Sequence, residues 1–164
     1  MGADQTVLDD LVARGIAYEE MECDPDLADT AAFCEAYDVP LEQSANAILV
    51  ASRKPEGHQA ICLVLADSRL DVNGAVRRRL GVRKVSFAPA ELTKDVTGQE
   101  IGGVTVFGVP DEIPIWVDSR VLEHDWVIVG AGSRSAKIRL DPAVFDQDDR
   151  FDVIEGLAQP IESA

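Results

Sequence analysis

Residues 46–66 read NAILVASRKPEGHQAICLVLA, two apolar runs separated by a polar linker. The runs cover residues 47–52 and 59–66, and the linker contains Pro55 and Gly57, so the stretch predicts a β-hairpin. Both runs are apolar at consecutive positions, which is typical of strands covered on two faces. We therefore expect the hairpin to lie between two layers of the protein.

Helical and strand patterns alternate on both sides of this hairpin. Helices are predicted over 4–14, from Asp26 or Asp29 to Tyr37, over 71–80 and 89–97, and briefly after residue 141; strands are predicted over 17–21, 85–87, 115–117, 126–129 and 136–140. This order predicts a single mixed α/β (α+β) domain around one mainly antiparallel sheet with flanking helices, neither doubly wound nor all-β. We expect the domain to occupy residues 1–145 and a loosely held acidic tail to follow over 146–164.

The chain has 164 residues and a net charge of −15, and the charge is unevenly distributed. Residues 1–42 carry twelve acids and one base, residues 141–164 carry seven acids and one base, and residues 43–140 are close to balanced. A field of this sign repels polyanions at long range, which disfavours a general nucleic-acid binder. One basic cluster, Arg77–Arg79 with Arg83 and Lys84, is either a solvated helix face or a local phosphate-binding patch.

Several classes of protein are disfavoured by what the sequence lacks. No apolar run approaches the roughly 18 residues of a membrane span, and the N-terminus has no secretory pattern, so we expect a cytoplasmic protein without a membrane partner. Three scattered cysteines predict free thiols rather than a disulfide framework. Two isolated histidines provide no zinc-ligand spacing, and we expect neither a metal nor a cofactor.

Two glycine-containing segments are candidates for ligand contact. The loop GGVTVFG, residues 102–108, is followed by two prolines rather than a helix, and this excludes a dinucleotide-binding fingerprint. No Lys-Ser/Thr pair follows the loop, and this excludes a P-loop. Its glycines either allow a backbone to approach a ligand or permit a tight loop. The second segment, Gly130–Ser133, is either a hairpin turn or a ligand-cradling nest of amides.

A set of segments in a fixed order resembles the YbaK/ProX-type aminoacyl-tRNA editing domains. They are LADTAAFCEAYDVP, SANAILV, CLVLADSRLD, LGVRKVSFA, ELTKDVTGQEIGGVTVFGVP and IWVDSRVLEHDWVIVGAGSRSAKIRL. The resemblance covers roughly residues 25–145, and its most specific part is the glycine loop followed by the GAG turn.

This resemblance implies a deacylase that acts in trans on tRNA mischarged with a small amino acid. The implied partner is the aminoacyl-tRNA 3′ end, and the family's association with prolyl-tRNA synthetase implies a synthetase as a further partner. The implied chemistry uses an ordered water and the ribose hydroxyl of the tRNA without a metal. The implied catalytic residues are Asn46, Gly102 and Gly103, the two glycines supplying backbone amides to the developing oxyanion. The implied substrate-binding residues are Ala47, Val104, Thr105, Phe107, Gly108, Gly130, Ala131, Gly132 and Ser133.

Two positions depart from the family pattern. The family has a lysine at the head of the first hairpin strand, where this chain has Asn46, and a proline in the glycine loop, where this chain has Val106. Asparagine donates hydrogen bonds but carries no charge. The alternatives are therefore a catalytically impaired binding or regulatory module, and a hydrolase for another small ester or amide.

Overall fold

The computed structural model describes residues 2–161, which form ten strands and five α-helices. The strands are β1 (Tyr18–Glu22), β2 (Ala45–Lys54), β3 (Glu56–Leu65), β4 (Ser68–Leu70), β5 (Lys84–Phe87), β6 (Ile115–Asp118), β7 (Val127–Gly130), β8 (Ala136–Leu140), β9 (Phe151–Ile154) and β10 (Ala158–Pro160). The helices are α1 (Gln5–Ala13), α2 (Thr30–Tyr37), α3 (Arg77–Leu80), α4 (Ala90–Thr97) and α5 (Val144–Gln147). The mixed α+β class with mainly antiparallel pairing is confirmed.

The predicted hairpin is the β2–β3 pair, which is longer than its apolar runs because both strands continue to the turn at Pro55. Its two faces enter different hydrophobic clusters. Leu49, Ile61 and Leu63 pack into one cluster, whereas Val50 and Cys62 pack into another. The consecutive apolar positions therefore reflect burial on both faces, as predicted.

The strands form three sheets rather than the single sheet expected. The largest has the order β5-β2-β3-β6-β9, in which β6 is parallel to both neighbours; β1-β8-β7 forms a second sheet and β10-β4 a third. An isolated bridge between Ser44 and Ile128 joins the ends of β2 and β7, so the first two sheets meet there. The expectation of one sheet was wrong because strand patterns identify strands but not their partners.

The segment expected to be a loosely held tail contains β9 and β10. Strand β9 pairs with β6 over four residues, and Phe151 packs edge-on against Phe107 and Phe145 in the core. Asp148 accepts a 2.7 Å hydrogen bond from Arg14 at the end of α1. The segment therefore contributes a paired strand and Phe151 to the core, although it is acidic.

The helices are close to their predicted bounds, with one difference in form. The predicted helix over 71–80 begins as a wider π-helical stretch, Val72–Val76, before α3 continues it. The carboxylate of Asp71 accepts hydrogen bonds from the amides of Gly74 and Ala75, which caps this start. Within residues 2–161, no helix is long and apolar enough to cross a membrane.

Candidate active site

A cavity of about 340 Å³ opens where the two larger sheets meet. Its walls come from the start of β2, the start of α2, the loop 101–104, the end of β7 and one side chain of β8. This volume lies at the lower end of the range for small-molecule sites, about 300–1,000 Å³. The cavity therefore suits a small group rather than a large ligand.

Five of the residues predicted for the site line this cavity. They are Asn46, Ala47, Gly102, Val104 and Gly130. They come from three segments of the chain, the first more than fifty residues before the second and the second about 26 residues before the third, and the fold brings them to one place. The head of the hairpin, the glycine loop and the GAG turn thus converge on one cleft.

The other seven predicted residues do not line the cavity. Thr105 and Phe107 are fully buried, and Phe107 belongs to the aromatic core cluster. Gly108 donates to the carboxylate of Asp10 on α1, and the hydroxyl of Ser133 donates to the carbonyl of Gly2. The remaining three are Gly103, Ala131 and Gly132, none of which lines the cavity. Only the first part of the glycine loop borders the site.

Gly103 and Gly130 mark a close crossing of two backbones. A Cβ on Gly103 would lie 2.2 Å from the carbonyl oxygen of Ser133, and a Cβ on Gly130 would lie 2.3 Å from that of Val104. The Gly103 carbonyl accepts from the Gly132 amide at 2.7 Å, and the Gly103 amide donates to Glu100 at 2.9 Å. The Gly103 amide is therefore engaged within the loop, whereas the Gly102 amide has no hydrogen-bond partner among residues 2–161.

Gln99 holds the glycine loop in shape from below. Its side chain is 2% exposed, donates to the carbonyl of Phe107 at 2.8 Å and accepts from the amide of Thr105 at 2.8 Å. A buried carboxamide with both ends satisfied fixes the backbone that it bridges. Nothing in the local sequence indicates this role, because a glutamine after a helix is usually solvated.

Asn46 is oriented by a residue of α2. The hydroxyl of Thr30 donates to the Asn46 side-chain oxygen at 2.7 Å. The carboxamide has two donor hydrogens on its nitrogen, and these have no partner among the described residues. Asn46 therefore presents a neutral hydrogen-bond donor to the cavity.

Lys137 is the residue of this site that the sequence patterns did not identify. It is 7% exposed and lines the cavity from β8. Its ammonium group donates to the carbonyl of Ala28 at 2.8 Å and to the carbonyl of Gly102 at 2.7 Å, and lies 5.3 Å from the centre of the Phe33 ring. An ammonium has three donors, so one N–H remains without a partner among residues 2–161.

Burial sets the electrostatics of this lysine. Desolvation lowers the pKa of Lys137 below that of an ordinary lysine, although nearby Asp29 acts in the opposite direction. Asp29 accepts from Arg134 at 3.1 Å, and Arg134 also donates to the carbonyl of Ile101 at 2.8 Å. The two cations thus tie the start of α2 to the glycine loop, and Lys137 is the one that faces the cavity.

Two apolar side chains stand exposed at the cavity rim. Phe87 at the end of β5 is 56% exposed and Ile101 before the glycine loop is 45% exposed, and both line the cavity. Exposed aromatic side chains beside a site are typical of surfaces that stack a planar ligand. The rim therefore offers an apolar contact outside the polar interior.

The three cysteines are free, buried thiols. Burial raises the pKa of Cys34 and of Cys23, and raises that of Cys62 to about 12. A thiol with a raised pKa is a poor nucleophile, and none of the three lines the cavity. Across residues 2–161 there is no group of three or more histidine, cysteine or acidic side chains placed to hold a metal ion.

The chain matches a known protein family over most of its length. The family model for the aminoacyl-tRNA editing domain matches residues 24–147. The uncharacterized protein YwhH of Bacillus subtilis is 32% identical over 117 residues, which are 66% of this chain and 73% of YwhH.

Two crystal structures are similar over nearly the whole chain. The hypothetical protein APE2540 superposes with a TM-score of 0.83 at 21% identity, over 94% of this chain and 99% of its own. A candidate trans-editing enzyme for prolyl-tRNA synthetase superposes with a TM-score of 0.78 at 21% identity, over 94% and 95% of the two chains. At this level of identity the likeness shows a shared fold.

Proposed function

Since the chain belongs to the aminoacyl-tRNA editing domain family, we propose that it is an aminoacyl-tRNA deacylase that acts in trans on tRNA mischarged with a small amino acid. One observation carries the proposal: Asn46, Gly102 and Lys137 line a single cavity of about 340 Å³. The aminoacyl group would occupy the cavity, and the terminal nucleoside would lie at its rim.

The proposed reaction is the hydrolysis of an ester. The oxygen of a water attacks the carbonyl carbon and the bond from that carbon to the ribose oxygen breaks. One proton of the water ends on the ribose oxygen, and the other is released when the new carboxylic acid ionises. The barrier falls when fixed donors face the oxyanion that develops on the carbonyl. The Gly102 amide, the Asn46 carboxamide and the third N–H of Lys137 are the donors available at this cavity.

In this proposal Lys137 supplies the positive charge that the side chain at position 46 lacks. The charge enters the cavity from β8 instead of β2, and two backbone carbonyls hold it in place. Because one of those carbonyls belongs to Gly102, the same contact positions the glycine loop. In this proposal Lys137 is both a cation for the substrate and a positioning residue for the glycine loop.

Pocket size would select the amino acid. One methylene changes binding in an apolar pocket by only about 1–3 kcal/mol, so the cavity sorts large from small side chains better than it separates similar ones. We therefore propose a small amino acid as the group removed.

The direct test is incubation of the purified protein with tRNAs carrying alanine, serine, cysteine or proline. Release of amino acid above the buffer rate from at least one of them supports the proposal, and no release from any of them overturns it. Salt dependence distinguishes tRNA from a small ester as the substrate, because binding through phosphates weakens steeply with added salt.

A second candidate function is a binding or regulatory module without catalysis. The observation that favours it is the neutral Asn46 side chain in place of the family lysine. This candidate predicts that N46K creates deacylation in an otherwise inactive protein. An active wild type whose rate N46K leaves unchanged contradicts it.

A further inference from the structure

A second groove lies beside the cavity, on the outer ends of β2, β3 and β5, and the two share Phe87. Its polar lining includes the exposed cations Arg53, Lys54 and Lys84. Glu56 is the one acid among the residues that line it. In a chain of net charge −15, this is a local positive surface that touches the candidate active site.

The arrangement of two of these cations is costly for an unliganded protein. Lys54 and Lys84 are paired across the antiparallel β2–β5 ladder, beside a register shift between Ser52 and Lys54. Like charges at such positions destabilise a sheet. Neither lysine has an acidic partner within 4.0 Å among residues 2–161, so the repulsion is not offset within the described part of the protein.

The distance from the lysine pair to the cavity rim suits a strand of nucleic acid. Phe87 and Lys84 are the two ends of β5, three residues apart, which corresponds to about 10 Å along a strand. A positive groove that continues into an exposed aromatic side chain is the combination that binds single-stranded nucleic acid: cations contact phosphates and the aromatic ring stacks on a base.

We propose that this groove binds the phosphodiester backbone of the unpaired 3′ end of tRNA, with Phe87 stacking on a base at the cavity rim. The proposal rests on the proposed function for the identity of the RNA. Phosphates leading to the terminal nucleoside would lie along Lys54 and Lys84, and the ester would then enter the cavity between Asn46 and Lys137. In this proposal an acidic protein binds a polyanion through a local positive surface.

Affinity for uncharged tRNA, measured by fluorescence anisotropy over a series of salt concentrations, tests the groove without requiring catalysis. The double variant K54Q/K84Q removes two cations from the groove, and its fold should persist because the repulsion is relieved. If both lysines contact phosphates of a single strand, the slope of log affinity against log salt should become shallower by about 1.4. F87A should weaken binding by about tenfold and leave the slope unchanged, since stacking involves no counterion release.

The matched control is R77Q/R78Q, which removes the same charge from exposed positions on α3 that line neither the groove nor the cavity. The proposal requires a shallower slope in K54Q/K84Q and an unchanged slope in R77Q/R78Q. The proposal is overturned if the slope is equal in the wild type and K54Q/K84Q, or if it changes equally in both double variants. It is also overturned if only R77Q/R78Q changes the slope, or if the wild type does not bind tRNA.

A substrate without phosphates separates this proposal from the proposed function. K54Q/K84Q should hydrolyse an aminoacyl ester of adenosine at the wild-type rate while losing efficiency on aminoacyl-tRNA. If the wild type hydrolyses neither substrate but binds tRNA through the two lysines, the proposed function fails and the groove stands. If the wild type hydrolyses both substrates and K54Q/K84Q acts on tRNA as well as the wild type does, the groove fails and the function stands.

Discussion

The ammonium nitrogen of Lys137 lies 2.7 Å from the carbonyl oxygen of Gly102 and joins strand β8 to the glycine loop across the cavity. A second bond from the same nitrogen reaches Ala28, just before α2. One buried cation therefore fixes two walls of the site. The glycine loop depends on this contact for its position, and the cavity depends on it for positive charge.

Replacement of this lysine should reduce catalysis strongly. In K137M the Gly102 carbonyl loses its hydrogen bond, so the glycine loop loses its tie to β8, and the cavity loses its charge. We expect kcat to fall by about 100-fold or more, as when an oxyanion donor is removed. The measurement is single-turnover release of amino acid from a misacylated tRNA.

The control for this prediction is R139M, on the same strand two residues further. Arg139 is exposed and lies over the Trp126 ring, 4.4 Å from its centre, away from the cavity. Its variant should retain the wild-type rate. Equal losses in K137M and R139M would indicate general damage to β8 and not a role for Lys137.

The rate of the reaction should depend on pH through the ionisation of Lys137. Because burial lowers the pKa of Lys137, the cation is lost as pH rises through a value below the roughly 10.4 of an ordinary lysine. We expect kcat/KM, corrected for hydrolysis in buffer, to decline over that range. In K137R any remaining activity should lack this decline, because arginine stays charged; a K137R profile that declines in step with the wild type contradicts the assignment.

The bond from Thr30 to Asn46 should matter for orientation rather than folding. T30V removes the hydroxyl that holds the Asn46 oxygen at 2.7 Å and leaves the carboxamide free to rotate. We expect a loss of about tenfold in kcat, of the order found when one hydrogen bond of about 1.4 kcal/mol is lost. T30S keeps the hydroxyl and should restore the rate, and failure of T30S to do so would assign the effect to packing.

The backbone crossing at Gly103 predicts a cost in stability. A methyl group there meets the carbonyl oxygen of Ser133 at 2.2 Å, so G103A must separate the glycine loop from the GAG turn. We expect the free energy of unfolding in urea to fall by about 2 kcal/mol or more. The control is G15A, because no atom lies within 4 Å of a Cβ at that position and only the positive φ of 69° is unfavourable. We expect G15A to lower the free energy of unfolding by about 1–2 kcal/mol. A smaller loss of stability in G103A than in G15A contradicts the tight crossing.

The sequence predicted the positions of helices and strands better than it predicted which strands pair. The β2–β3 hairpin was readable because its apolar residues and its turn are local, and both faces are buried as expected. Strand β9 was missed because its pairing with β6 joins segments more than thirty residues apart, and Asp152 within it is exposed. Its two buried ends, Phe151 and Ile154, are too few to produce a strand pattern.

The residues of the site were also predicted incompletely, because local patterns do not show contacts between distant segments. Lys137 and Arg139 alternate with apolar residues on β8, a pattern that places both on the solvent face of a strand. Arg139 is exposed as that pattern predicts, but the segment around Ala28 and Phe33 covers Lys137. The glycine-rich segment is a loop between α4 and β6, as its composition predicts. The burial of Phe107 follows from aromatic partners near the other end of the chain.

In the proposed reaction, a small aminoacyl ester is hydrolysed in the cavity between Asn46 and Lys137. The most direct test is single-turnover release from a series of tRNAs whose amino acids increase in size from alanine through proline to phenylalanine and tryptophan. We expect release well above the buffer rate for at least one small amino acid and none above that rate for the two large ones. No release for any member of the series, or equal release for alanine and tryptophan, would contradict the claim.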